Sequence, residues 1–155
     1  MKKVDLGQTF QVLGNVGVII GILLLAFELN QNRHMMEAQT RNAISETLVN
    51  LQIMLSTSTE QQRIAWKIRS GESPTPIEQQ TFNARWIGFF RYWENVNYQY
   101  RKGLYDDSEY LAQRVAWLDA LEQDAVRRLW CDLRDGWSPE FFSEMDMLLG
   151  ESACN

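Results

Sequence analysis

The chain has 155 residues, of which 45 % are apolar and 23 % charged, so it has room for one compact domain and is too apolar for wholesale disorder. Its net charge of −5 is unevenly placed, because residues 103–155 carry 12 Asp or Glu against 4 Lys or Arg. Such a surface repels phosphate-rich ligands, which argues against nucleic acid as a partner. The acidic third is either a solvated face or a surface for a basic protein.

A continuous apolar run occupies residues 10–29, and Asn15 is its only strongly polar side chain between residues 12 and 27. Twenty helical residues span about 30 Å, the thickness of the hydrocarbon core of a bilayer. A signal peptide requires a small-residue cleavage site after its apolar run, and none follows here. The all-round apolarity disfavours a buried core helix. The sequence therefore predicts a transmembrane helix over 10–29 after an N-terminal tail over 1–9.

Small residues mark one face of this predicted helix. Gly14, Gly17 and Gly21 are three and four positions apart, and Gly17 and Gly21 form a GxxxG motif, which lets two helix backbones approach closely in lipid. The neighbouring Asn15 carries an amide that seeks a partner, commonly on another helix. The pattern predicts association with a second copy or with another membrane protein. The alternative is that glycine is simply common in spanning helices and that Asn15 is wetted at the interface.

The orientation of the span is nearly undetermined by charge, because Lys2 and Lys3 precede it and two arginines follow it. The two cysteines, Cys131 and Cys154, lack CxxC spacing and neighbouring histidines. We interpret them as free thiols, which favours a reducing compartment and a cytoplasmic C-terminal domain. A single disulfide between them is the open alternative.

The rest of the chain predicts helices alone, so the expected fold is all-α. A single N-terminal transmembrane helix is continuous with a long juxtamembrane helix over 30–58, and a small helical bundle follows over 59–155. Helix starts and stops support this division. The expected caps are Thr59 with Gln62, Thr75 with Glu78, Asp106 with Glu109, and Ser138. The expected stops are Gly71, Gly103, Gly136 and Gly150.

The helix expected over 76–102 carries an unusual aromatic load. Its apolar residues recur at steps of four and three, as on one helix face: Phe82, Trp86, Phe89, Trp93, Val96 and Tyr100. We interpret these and the other tryptophans mainly as core. The alternatives are the lining of a ligand pocket and contact with the lipid surface.

Catalytic patterns are missing from the sequence. His34 is the only histidine, and there is no GxSxG, P-loop or GxGxxG motif, so we assign no catalytic residue, metal ligand or cofactor. The acidic cluster over 106–109 is expected to be a helix N-terminus. Glu94 is the one carboxylate placed for acid–base work, but Arg91 three positions earlier favours an ordinary ion pair.

Several segments resemble a widespread set of small bacterial proteins with one N-terminal spanning helix. They are FELNQN after the span, RYWENVNYQYRKGL over 91–104, RRLWCDLR, and WSPEFFSEMDMLL over 137–149. The resemblance covers most of the chain and implies this layout and a bacterial inner membrane, but it implies no activity. Its motif positions are Trp93, Glu94, Asn95, Tyr98, Gln99 and Gly103.

The leading functional hypothesis is a membrane-anchored helical protein that self-associates or serves as an accessory subunit of a membrane complex, without catalysis. Its partners would be the lipid bilayer and either itself or another membrane protein. One alternative is a small-molecule sensor or enzyme with a pocket near Trp93–Tyr98, where Glu94, Asn95 and Tyr98 share one side of a helix. The other is an oligomeric pore with Asn15 lining the lumen.

Overall fold

The computed structural model describes residues 6–150 and Cys154, and these residues form six α-helices and no strand. Lys2 and Lys3, with the rest of the tail through residue 5, lie outside the described residues. The all-α prediction, with one long apolar helix followed by a helical bundle, is confirmed. The helices are α1 (Leu6–Thr57), α2 (Thr59–Arg69), α3 (Pro76–Arg101), α4 (Asp107–Leu121), α5 (Asp124–Leu133) and α6 (Pro139–Leu149), with a 3₁₀ turn at Arg134–Gly136.

The chain divides into two compact units, residues 1–39 and residues 40–155. The first contains α1 through Gln39, and every side chain in its apolar stretch over 10–29 is exposed. Among the described residues, α1 is the one helix long and apolar enough to cross a membrane. The second unit contains the end of α1, from Thr40, and all the other helices.

Local signals set most helix ends of the second unit. Thr75 and Glu78 form the expected capping box at the start of α3, each side chain accepting a bond from the other's backbone N–H. Gly103 follows α3 with φ of +68°, a left-handed conformation that glycine adopts without steric cost. The expected cap at Thr59 is wrong by one residue, because Ser58 accepts the bond from the Gln61 backbone N–H.

Aromatic rings dominate the core of the second unit. Trp117, Trp130, Phe90 and Phe141 are completely buried. Three pairs of these rings meet edge to face with centroids 5.4–6.1 Å apart, the geometry that ring quadrupoles favour. The core interpretation is confirmed for five tryptophans and wrong for Trp66, which is 71 % exposed. Of the six-residue stripe on α3, Phe89 and Tyr100 are half-buried and the other four are buried.

The cysteines correct one expectation. Cys131 at the end of α5 and Cys154 near the C-terminus are joined by a disulfide, with their Cα atoms 5.4 Å apart. The interpretation of both as free thiols is therefore wrong, and the alternative of a single disulfide is the one observed. Spacing could not reveal the pairing, because it depends on Cys154 lying beside the end of α5. The thiol argument for a cytoplasmic domain is lost with it.

Candidate functional site

The glycine face predicted for helix association lies on the exposed part of α1. A Cβ atom built on Gly14, Gly17 or Gly21 would meet nothing within 4 Å beyond the adjoining residues and backbone of its own helix, and Asn15 is exposed. Within the described chain nothing covers this face. The backbone there is open to close approach by another helix, as a GxxxG contact requires.

Glu94, the one candidate acid–base residue, is held by two bonds. Arg91 donates to one carboxylate oxygen at 2.7 Å, and the backbone N–H of Ser138 donates to the other at 2.8 Å. Partial burial opposes ionisation, but the bonds from Ser138 and Arg91 outweigh it and hold the pKa of Glu94 below its ordinary value. The carboxylate therefore joins α3 to the start of α6.

Asn95 and Tyr98 lie beside Glu94 on the surface of α3. The Asn95 side chain is exposed and accepts a bond from Gln99 at 3.4 Å, while the Tyr98 ring is 47 % exposed and faces the Lys102 ammonium at 5.4 Å. The three predicted residues do come together, at an open depression of about 480 Å³. The Glu94 carboxylate there is already bonded on both oxygens, so the arrangement offers no poised base.

Glu78 forms a buried ionic contact that its capping role alone did not reveal. Its side chain is 7 % exposed and accepts bonds from Lys67 at 2.8 Å, from Arg63 at 2.6 Å and from the Thr75 backbone N–H at 2.7 Å. These bonds, that from Lys67 foremost, lower the pKa of Glu78 to about 2. Arg63 and Lys67 are four residues apart on α2, which was the available signal for a shared anionic partner.

Asn97 is a second buried polar residue that sequence reasoning missed. It is 2 % exposed, donates to the Tyr110 hydroxyl at 2.7 Å and accepts from the Arg101 Nε at 3.1 Å. Burial raises the pKa of Tyr110 to about 12, and its ring stacks on Tyr100 at 3.8 Å. The bond joins α3 to α4. The signal was the four-residue spacing from Trp93, which places Asn97 on the inward face.

The acidic cluster over 106–109 serves the start of α4, as expected. The Asp106 carboxylate accepts bonds from the backbone N–H groups of Ser108 at 2.8 Å and Glu109 at 3.4 Å, and Glu109 itself pairs with Arg41. Within the described residues, no three His, Cys, Asp or Glu side chains form a group that could hold a metal ion.

The described geometry defines a class: an all-α protein with one helix long and apolar enough to span a membrane and a separate unit with an aromatic core. Comparisons of the chain with protein-family models, with curated proteins and with solved structures gave no match. The resemblance to small bacterial membrane proteins therefore stays an expectation from the sequence.

Proposed function

We propose that the protein is anchored in a bilayer by residues 10–29 and acts there by associating with another spanning helix, without catalysis. The observation that carries the anchor is the exposure of the apolar run. Thirteen large apolar side chains from Phe10 to Leu29 are 46–71 % exposed. They present on the order of 1,000 Å² of apolar surface, against the few hundred Å² of a typical soluble monomer. Lipid is the solvent that removes this cost.

The glycine face supports the association. Lipid tails are as apolar as leucine, so spanning helices associate through close packing and polar contacts rather than through hydrophobic burial. The uncovered backbone at Gly17 and Gly21 allows close packing, and the exposed Asn15 amide offers a polar contact. A second copy presents the same small face, so a two-fold symmetric pair satisfies both chains at once. A different subunit with a small-residue face is the other partner that fits.

Association is tested in lipid with the full chain. Copies carrying donor or acceptor dyes are mixed in vesicles, and energy transfer is measured as lipid dilutes the protein. Replacing Gly17 and Gly21 by Leu should weaken pairing about tenfold, the loss of roughly 1.4 kcal/mol of helix contact. The matched control combines Ile19→Leu with Leu23→Ile, at two exposed positions on the opposite face of α1, and should pair like the wild type.

Three results would count against the proposal. Equal pairing of the glycine variant and the wild type would show that the glycine face is not the contact. A wild type that is monomeric at all dilutions would exclude self-association. Extraction of the protein from membranes by alkaline carbonate would remove the anchor itself. A fixed stoichiometry of two in the same vesicles would dispose of the pore, because one spanning helix per chain cannot enclose a lumen as a pair.

The disulfide supports an orientation opposite to the cytoplasmic one expected from the sequence. Disulfides form and persist in oxidising compartments, so we place residues 40–155 on the oxidising side. Lys2 and Lys3 then face the cytoplasm and Arg33 and Arg41 face the oxidising side, an arrangement that the positive-inside tendency neither favours nor opposes. Protease added to intact spheroplasts should digest the domain. Protection of the domain until the membrane is broken would reverse the assignment.

A further inference from the structure

A cavity of about 460 Å³ opens on the second unit, away from the depression at Glu94. That volume is within the range of small-molecule sites. Each contributing helix presents residues three and four positions apart, so each offers one face to the cavity. The lining residues are Gln52, Leu55 and Ser56 of α1, Gln62, Ala65, Trp66 and Arg69 of α2, Phe82, Arg85 and Trp86 of α3, and Gln123.

The charge of this lining contrasts with that of the chain. It contains two arginines and no Asp or Glu, although the chain carries a net charge of −5. Within the described residues, neither Arg69 nor Arg85 forms an ion pair, whereas Arg63 on α2 contacts two carboxylates. Two unpaired guanidinium groups at one cavity produce a local positive potential, and low-dielectric walls strengthen it.

Arg85 shows the incomplete bonding most directly. Its Nε atom is buried and has no hydrogen-bond acceptor, while its guanidinium carbon is 5.6 Å from the centroid of the Trp86 ring. Burial, and the charge of nearby Arg69, lower the pKa of Arg85. A buried donor without an acceptor costs free energy that an anion in the cavity would return. The guanidinium fork suits carboxylate and phosphate oxygens.

The remaining lining is largely apolar. Phe82 and Trp86 are buried side chains of the core, and Trp66 stands 71 % exposed on the same face of α2 as Arg69. An exposed tryptophan beside unpaired arginines offers a flat apolar surface next to an anion-binding group. We propose that this cavity binds a small amphipathic anion, whose phosphate or carboxylate group contacts Arg69 and Arg85 and whose apolar body packs on Trp66. The site does not depend on association through α1.

The proposal is tested with the full chain in an uncharged detergent. Phenyl phosphate, inorganic phosphate and an anionic phospholipid are the probes. Binding is followed by calorimetry and by the fluorescence of Trp66, which is identified by comparison with Trp66→Phe. Arg85→Gln and Arg69→Gln should each bind phenyl phosphate at least about tenfold more weakly. Arg127→Gln is the matched control, because that arginine is on α5, pairs with Asp124 and does not line the cavity.

The probes distinguish two sources of the same chemistry. Tighter binding of phenyl phosphate than of the lipid supports a soluble anion, and the reverse order supports a lipid headgroup, provided that Arg85→Gln weakens either one. Inorganic phosphate should bind more weakly than phenyl phosphate, because it cannot contact Trp66. Absence of wild-type binding at millimolar probe, or equal binding by wild type and both arginine variants, overturns the proposal. Should Arg85→Gln fail to fold, Arg69→Gln, whose arginine is exposed, carries the test.

Discussion

The disulfide between Cys131 and Cys154 closes a loop across a sequence separation of 23 residues, and replacing Cys154 by Ser opens it. A cross-link stabilises the fold mainly by reducing the conformational freedom of the unfolded chain. For a loop of this length the chain-entropy relation gives about 3.4 kcal/mol at 25 °C. For a unit of this size, such a loss lowers the melting temperature by roughly 10–15 °C.

The measurement is thermal unfolding in uncharged detergent, followed by the near-ultraviolet circular dichroism of the aromatic core. This signal follows the second unit, where the buried tryptophans lie, rather than the helix content of the anchor. Reductant should lower the midpoint of the wild type to that of Cys154→Ser and leave the variant unchanged. Identical midpoints for oxidised wild type and variant would refute the reasoning, as would maleimide labelling of both cysteines in unreduced, unfolded protein.

Three further predictions concern the second unit. Glu78→Gln should lower the free energy of unfolding at neutral pH. The difference in stability between wild type and variant should shrink as pH falls from 4.5 towards 2, because the wild-type carboxylate, whose pKa lies below its ordinary value, loses its stabilising charge in that range. Denaturant midpoints measured across this pH range test the prediction. A difference that does not change with pH would contradict it. Trp130→Ala should cost about 3–5 kcal/mol in denaturant unfolding, since the ring is completely buried, while Trp66→Ala should change stability by about 0.5 kcal/mol or less; similar losses would contradict the core assignment. Arg85→Met should raise the free energy of unfolding by about 1 kcal/mol, because it removes an unpaired, half-buried charge, and should weaken anion binding at least about tenfold. A destabilised variant would show a structural role for Arg85 instead.

The fold class and many helix ends were readable because they depend on neighbouring residues. Apolar spacing predicted the helices, and the capping box at Thr75 and Glu78 marked one start to the residue. The break between α4 and α5 carried no such mark, since Gln123 makes no side-chain capping bond. At Ser58 two adjacent hydroxyl residues competed for one cap, and local pattern could not choose between them.

The site residues were less predictable because they depend on distant partners. The pairing of Arg91 with Glu94 followed from helical spacing, but the bond from Ser138 joins residues 44 positions apart. Trp66 is the same residue type as the five buried tryptophans, and its exposure depends on which helices pack around it, which the sequence pattern does not reveal. Arg85 was readable in part, since a cation three residues after Phe82 falls on the inward face, where an unpaired charge is costly.

The ring-filled core has a consequence for how the sequence can drift. Aromatic rings that meet edge to face fix one another's orientation as well as their separation. The core therefore depends on ring orientations and not only on side-chain volume. Replacing one aromatic residue by another preserves these ring contacts. Branched aliphatic residues of equal volume still exclude water from the core, but they do not fix the orientation of neighbouring side chains. A library of such exchanges should therefore separate into variants with a single rigid state and variants that are compact yet loosely ordered.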